Sequence, residues 1–248
     1  LGTILPDKTA WRREGAMEDH EGKITGADVP EAAVPVDAAE PTAGPRKTRI
    51  GEANASRILD AALTVFSAFG YHGARIEQIA AAAGMSKPNL LYYFRSKDAL
   101  YTAVLERTLD QWLEPLRGLD AGRDPFDALG EYIESKLEAS RRDPAASRMF
   151  AMEIIQGAPH LSPVLSGRLK CLVDAKAAII ERWIAEGRIA PVDPRHLIFS
   201  IWATTQHYAD FAVQVRAVAG SDLSDDDFHR RTLDSLLTIL LGGLRATP

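Results

Sequence analysis

The 248-residue sequence predicts an all-α protein, with an N-terminal three-helix module of the helix-turn-helix kind and a larger helical domain after it. Three observations carry that prediction. From Asn54 onward apolar residues recur at spacings of three and four, the period of a helix with one buried face. Between Gly73 and Phe94, the stretch GARIEQIAAAAGMSKPNLLYYF reads as two short helices joined by a tight turn. Ser, Asp, Pro and Gly then punctuate the rest at the positions where helices start and stop.

Residues 1–45 mix Pro, Ala, Gly, Asp and Glu without a sustained period and read as a disordered acidic tail, in which Trp11 has no evident role. Arg46, Lys47 and Arg49 follow as a basic arm that suits a nucleic-acid backbone or minor groove, or equally a solvated charge cluster. The first helix is expected from about Asn54 to Phe69, with Ile58, Ala62, Val65, Phe66 and Phe69 as its stripe and Gly70 as its stop. Residues 71–74 turn into a second helix, on which Ile76, Ile79 and Ala80 form the apolar face. Gly84 supplies a positive-φ stop, Met85 a buried turn residue, and Ser86 an N-cap for the third helix. Pro88 sits near that helix's start, where a missing N–H costs nothing. Ser96 caps a longer helix with Leu100, Val104, Thr108 and Trp112 along one side and a kink or end at Pro115. Domain boundaries accordingly fall at 1–45, 46–96 and 97–248.

Residues 126–141 form the next helix. Asp143-Pro144 caps and opens another, reaching about Ile155, and Gly157-Ala158-Pro159 breaks it. A long helix is expected over 166–185, apolar at Leu169, Leu172, Val173, Ala177, Ile180 and Trp183. Asp193-Pro194 starts a helix expected to reach Val218, and Asp225 or a neighbour opens the last, ending near Gly242. These two carry apolar residues beyond one stripe, among them Ile198, Phe199, Ile201, Trp202, Phe211, Leu236, Leu237, Ile239 and Leu240. A helix apolar on more than one face is buried on more than one side. A homodimer interface explains the excess economically, since a two-fold protein matches a palindromic DNA site; a wholly intrachain core is the alternative.

At 46% hydrophobic and 25% charged residues, the composition is that of an ordinary globular chain. No apolar run approaches the ~18 residues of a membrane span, and no signal peptide is evident, so a cytoplasmic protein without a membrane partner is expected. Cys171, the single cysteine, excludes an intrachain disulfide and is expected as a buried thiol. The net charge of −5 hides an asymmetry: residues 46–105 carry eight Lys and Arg against four Asp and Glu. The basic segment is the one with the helix–turn–helix pattern, and local charge sets the attraction to phosphate.

The third helix carries Lys87, Asn89, Tyr92 and Tyr93 and no acidic side chain. A short, acid-free polar helix held by its predecessor suits the DNA major groove; a packed helical hairpin is the plainer reading. Lys87 and Asn89 are candidates for base edges, while Tyr92, Tyr93 and Lys97 suit phosphates. Ser86 and Pro88 shape the helix start, and Arg75 opens the second helix, facing DNA or solvent. Enzymatic and metal readings find no support: no G-x-S-x-G, Walker A or G-x-G-x-x-G motif occurs, and the six histidines form no H-x-x-x-H or H-E-x-x-H pair. No cofactor is expected.

The line TVFSAFGYHGARIEQIAAAAGMSKPNLLYYFRSKDALYTAVL resembles the TetR family of bacterial repressors, through its F-x-x-x-G-Y turn, I-A-x-x-A-G-x-S core and Y-Y-F-x-S-K-x-x-L exit. Many relatives have Thr where Ala74 stands, so one phosphate hydrogen bond is in doubt, and Arg75 is the candidate to replace it. Further stretches, SRMFAMEIIQGAP and IAPVDPRHLIFSIWATTQHYADFAVQV, are similar to the pyrimidine-utilisation repressors of that family, over about residues 50–242. The resemblance implies a dimeric repressor on a palindromic operator of double-stranded DNA, released by uracil or more weakly thymine, in control of pyrimidine breakdown and nitrogen metabolism. The alternative within the family is a repressor of a transporter or another pathway with a different effector.

Uracil is a flat ring with two N–H donors and two carbonyl acceptors, and each buried polar group left unpaired costs ~1–3 kcal/mol. The helix after Pro194 offers a matching set. Trp202, Thr205, Gln206 and Ala209 share one face, Tyr208 is adjacent to Thr205, and Gln206 presents both a donor and an acceptor. Trp112 can supply a facing wall. For Thr205 and Gln206 an interhelical or dimer hydrogen bond explains the sequence about as well, and both tryptophans suit a core. His207 and Asp210 read as interface polar residues, Lys136 and Glu153 as pocket charges or exposed ones.

Overall fold

The computed structural model describes residues 49–245. The acidic tail, Trp11, Arg46 and Lys47 lie outside the described residues, as does the side chain of Arg49. Among the described residues all regular structure is helical.

Helix α1 (Arg49–Gly73) starts a turn earlier than the periodicity suggests and is broken at Gly70, whose φ of 67° is open to glycine. Helices α2 (Ile76–Ala82) and α3 (Lys87–Tyr93) follow, separated by Gly84 at φ 66°. Ile58, Phe66, Ile79, Leu90 and Leu100 interlock beneath them as a fully buried core. Helix α4 (Lys97–Arg117) is capped by the Ser96 hydroxyl, which accepts from the Ala99 N–H at 3.0 Å. Its 21 residues span about 31 Å. Pro115 falls in the last turn, and α4 ends at Arg117, as the missing N–H of a proline leads one to expect.

The second half is a packed set of helices: α5 (Pro125–Arg142), α6 (Pro144–Ile155), the single turn α7 (Ser162–Val164), α8 (Lys170–Ala185), α9 (Pro194–Asp210), α10 (Ala212–Ala219) and α11 (Asp226–Gly242). Asp124, Asp143, Asp193 and Asp225 each cap the helix they precede by accepting backbone N–H bonds. Helix α5 lies at the centre against α4, α9 and α11, and α6 packs on α1, α4 and α9.

Three expectations are corrected. The helix expected over 166–185 begins as α8 at Lys170; a π-helical turn, Leu165–Leu169, precedes it, with Gly167 in the turn. The helix expected to reach Val218 breaks at Phe211 (φ −112°, ψ 31°) into α9 and α10, where Asp210, Phe211 and Val213 are all weak helix formers. Cys171 is exposed: the buried side of α8 follows Val173, Ala177 and Ile180, and a residue two positions before Val173 points roughly the opposite way. A single chain leaves Phe199, Phe211, Val213 and Ile239 open to solvent, so the apolar excess of the late helices is not absorbed within it.

Candidate nucleic-acid interface and effector cavity

At the basic end, Ser86 caps α3 by accepting from the Asn89 N–H at 3.4 Å. Ser86, Lys87, Pro88, Asn89 and Tyr92 are all exposed, Tyr92 at 82%. The Lys87 ammonium meets Glu77 of α2 at 2.7 Å, and this pair holds the Glu77 carboxyl below its usual range. Arg75 is exposed at the start of α2, where its N–H donates to the Gln78 side chain at 2.9 Å. Two residues expected at phosphates are engaged inside the module. The Tyr93 hydroxyl accepts from the Asn54 side chain at 3.0 Å, which ties α3 to α1. Lys97 donates to the Ala74 carbonyl at 3.2 Å and lies 4.5 Å from the Tyr71 ring centroid, bracing the turn between α1 and α2. Ala74 is buried. The result is a cross-braced three-helix head that presents α3 to solvent.

A cavity of about 800 Å³ opens between α4, α5, α6, the π-turn and α9, within the size range of small-molecule sites. Trp112 and Trp202 both line it, as does Gln206. Trp202 donates its indole N–H to the buried Tyr132 hydroxyl at 2.5 Å, which fixes the plane of the ring. Phe150 meets Trp112 edge-on at 5.3 Å. Thr205 and Tyr208 stand off the wall. The Thr205 hydroxyl is fully buried and donates back to the Ile201 carbonyl at 2.7 Å, satisfied within its own helix. Tyr208 packs against Phe228 of α11.

The polar end of the cavity is richer than the sequence suggests. Lys136 lines it at 3% exposure, its ammonium 4.7 Å from the Trp112 ring centroid. Among the described residues the ammonium makes no hydrogen bond or close ion pair, and burial pulls it down to about 8, partly offset by Asp210. Asp210 accepts from the Ser147 hydroxyl, and burial raises its carboxyl above the usual range. Arg148 and His207 complete this end. Glu153 is not on the wall; it lies on the far side of α6, paired with His160.

Most of the remaining wall is apolar: Leu109, Leu113, Phe150, Ile154, Leu165 and Leu169. The α6 share of it was missed from sequence, although MFAMEII is apolar on more faces than a surface helix needs.

A basic head with an exposed recognition helix, joined by one continuous helix to a domain with a ligand-sized cavity, defines a ligand-responsive DNA-binding regulator. The comparisons agree. The family model described as bacterial regulatory proteins, tetR family, matches residues 58–104, and that of the YcdC-like protein C-terminal region matches 105–247. The chain belongs to the TetR family of bacterial transcriptional regulators and is a DNA-binding transcriptional regulator. It is 53% identical over 200 residues to the HTH-type transcriptional regulator RutR of Escherichia coli K12, covering 81% of this chain and 94% of that one. It is 30% identical over 212 residues to the transcriptional repressor NicS of Pseudomonas putida, covering 81% and 98%. A TetR-like regulator from Rhodococcus sp. RHA1 superposes with a TM-score of 0.57 at 25% identity, covering 81% and 98%. The two family models meet at residues 104 and 105, inside α4, so that helix belongs to both halves. No helix among the described residues is long and apolar enough to cross a membrane.

Proposed function

We propose that this chain is a cytoplasmic homodimeric repressor of pyrimidine-degradation genes, released from a palindromic operator by uracil or, more weakly, thymine. One observation supports the effector class above the rest: a donor (Lys136), an acceptor (Asp210) and a two-sided amide (Gln206) share the cavity end walled by Trp112 and Trp202. The imide edge of uracil alternates carbonyl, N–H and carbonyl. Lys136 and Gln206 would donate to its carbonyls and Asp210 would accept from an N–H. A flat ring between two indoles gains stacking area, and a ligand carbonyl gives the buried ammonium a partner.

In a dimer the two α3 helices would sit one DNA turn apart, ~34–36 Å. Helix α4 carries both the link to the head and Leu109, Trp112 and Leu113 of the cavity wall. A bound pyrimidine would favour a conformer whose heads no longer fit successive major grooves. The apolar remainder of the wall favours a second reading, a repressor of a transporter or another pathway with a larger, more apolar effector.

The test is operator release. The purified protein is bound to labelled DNA from its own upstream region at moderate salt and titrated with uracil, thymine and cytosine. Release by uracil at micromolar levels with cytosine inert is the expected result. Operator binding with no pyrimidine response removes the effector assignment, and identical head separation in free and uracil-bound dimers removes the lever.

A further inference from the structure

We infer that His160 is the positioning residue that ties the cavity to the DNA-binding head, through Glu153 of α6 on one side and Asp98 and Tyr71 of the head on the other. The inference rests on the repressor reading and adds a route by which the cavity acts on the operator.

Helix α6 has two working faces. Phe150, Ala151, Ile154 and Ile155 line the cavity. Glu153 points the other way, at 1% exposure, toward the junction with the head. After α6 the chain reverses through Gly157 (φ 92°) and Ala158 (φ 55°), both left-handed. An alanine there is strained by ~1–2 kcal/mol, a cost tolerated where surrounding contacts impose the turn. Those contacts centre on Glu153. Its backbone carbonyl accepts from the Ala158 N–H at 2.8 Å, and its carboxylate accepts from the His160 N–H at 2.7 Å.

The imidazole thus placed bridges the two halves. Its Nδ1 is 3.3 Å from Glu153 and its Nε2 3.6 Å from Asp98, at the first turn of α4. The Tyr71 hydroxyl, from the end of α1, donates to the same Asp98 carboxylate. The ring lies 4.8 Å from Tyr71 and 4.9 Å from Tyr101, and Tyr101 packs edge-on against Phe66 in the head's core. A buried carboxylate needs its partners, so Glu153 has strong reason to keep His160, and His160 in turn holds the head against α6; the latch belongs to the operator-binding conformer in this inference. A ligand that displaces the cavity face of α6 moves Glu153 with the same rigid helix. Contacts of 3.3 and 3.6 Å do not survive a shift of an ångström or two.

Linkage gives this a signature that loss of folding does not share. Weakening the latch lowers the population of the operator-binding conformer, which weakens operator binding and leaves apparent ligand affinity equal or higher. His160 does not line the cavity, so no ligand contact is lost.

The experiment measures operator affinity by fluorescence anisotropy and uracil affinity by calorimetry for the full chain, His160→Ala and Asp98→Asn. Asp98 is 68% exposed, so its variant leaves folding intact. Removing a carboxylate from the basic head should by itself tighten DNA binding; the latch predicts the opposite sign. The expected result is operator binding at least about fivefold weaker in both variants, with uracil bound as tightly or more tightly. Operator affinity within twofold of the parent in both variants overturns the latch, as does a matched loss of operator and uracil affinity. If the parent itself ignores uracil, the effector reading fails, and the operator titrations of the two variants still decide the latch.

Discussion

Replacing Lys136 with methionine tests the polar end of the cavity and the cost of keeping it. The ammonium is almost fully buried, has an aromatic face for a neighbour, and sits at about 8 instead of the usual 10.5. That difference corresponds to about 3 kcal/mol of destabilisation while the group is charged in both folded and unfolded chains. The sign follows from proton counting. Below pH 8 both states hold the proton and the full penalty applies. Between pH 8 and 10.5 the unfolded chain keeps a proton that the folded chain has released, so stability rises with pH across that window. Methionine fills a similar volume with no charge to bury. Lys136→Met should therefore be about 3 kcal/mol more stable at pH 7, and its advantage should shrink steadily between pH 8 and 10.5. Urea unfolding of parent and variant at pH 7, 8, 9 and 10, at one protein concentration, measures the difference. Taking the difference cancels other groups, notably Tyr101, pushed up to about 12 by burial and then by Glu153, which works in the opposite sense above pH 10. The same variant should bind uracil at least about tenfold more weakly, having lost a charge-assisted hydrogen bond. A variant no more stable at pH 7, or a difference that does not change with pH, would show that Lys136 is solvated or paired in the folded protein and refute the reasoning.

The other predictions are smaller. Ser86→Ala removes the N-cap of α3 and should cost about 1 kcal/mol in thermal or urea unfolding, with weaker operator binding because the recognition helix frays at its reading end. Lys87→Ala should lower the slope of log affinity against log salt by about one, whereas Glu77→Gln, which frees the same ammonium, should tighten operator binding at low salt; titrations at three salt concentrations read both. Ala158→Gly relieves a left-handed alanine and should raise stability by about 0.5–1 kcal/mol, seen as a higher urea midpoint; an unchanged or lower midpoint would show that the alanine is unstrained or that its buried methyl outweighs the strain.

Local chemistry made much of this protein legible from its sequence. The caps Ser86, Ser96, Asp143, Asp193 and Asp225 act within three residues of themselves, and the turn after α2 needs a positive φ that Gly84 adopts without strain, so helix starts and the helix–turn–helix could be read directly. Trp112, Trp202 and Gln206 were legible as cavity residues because aromatic and two-sided polar groups amid apolar neighbours are uncommon in a helix. Tertiary structure decided the rest. Thr205 and Gln206 are neighbours about 100° apart on α9: Thr205 falls on the buried stripe with Ile198, Ile201 and Ala209, Gln206 on the cavity stripe with Trp202 and Asp210, and only packing decides which stripe faces what. Tyr93 and Lys97 also brace the head through Asn54 and Ala74, 39 and 23 positions away in sequence, and only the packed structure shows those partners. Lys136, Asp210 and Ser147 come from three helices, and no spacing in the chain announces that they meet. The sequence by itself determined where helices begin, which face of each is apolar and which segment is basic, because those depend on neighbours in the chain. Which polar groups are buried, paired or left facing a cavity depends on what other helices bring to them, and only the packed structure supplies that.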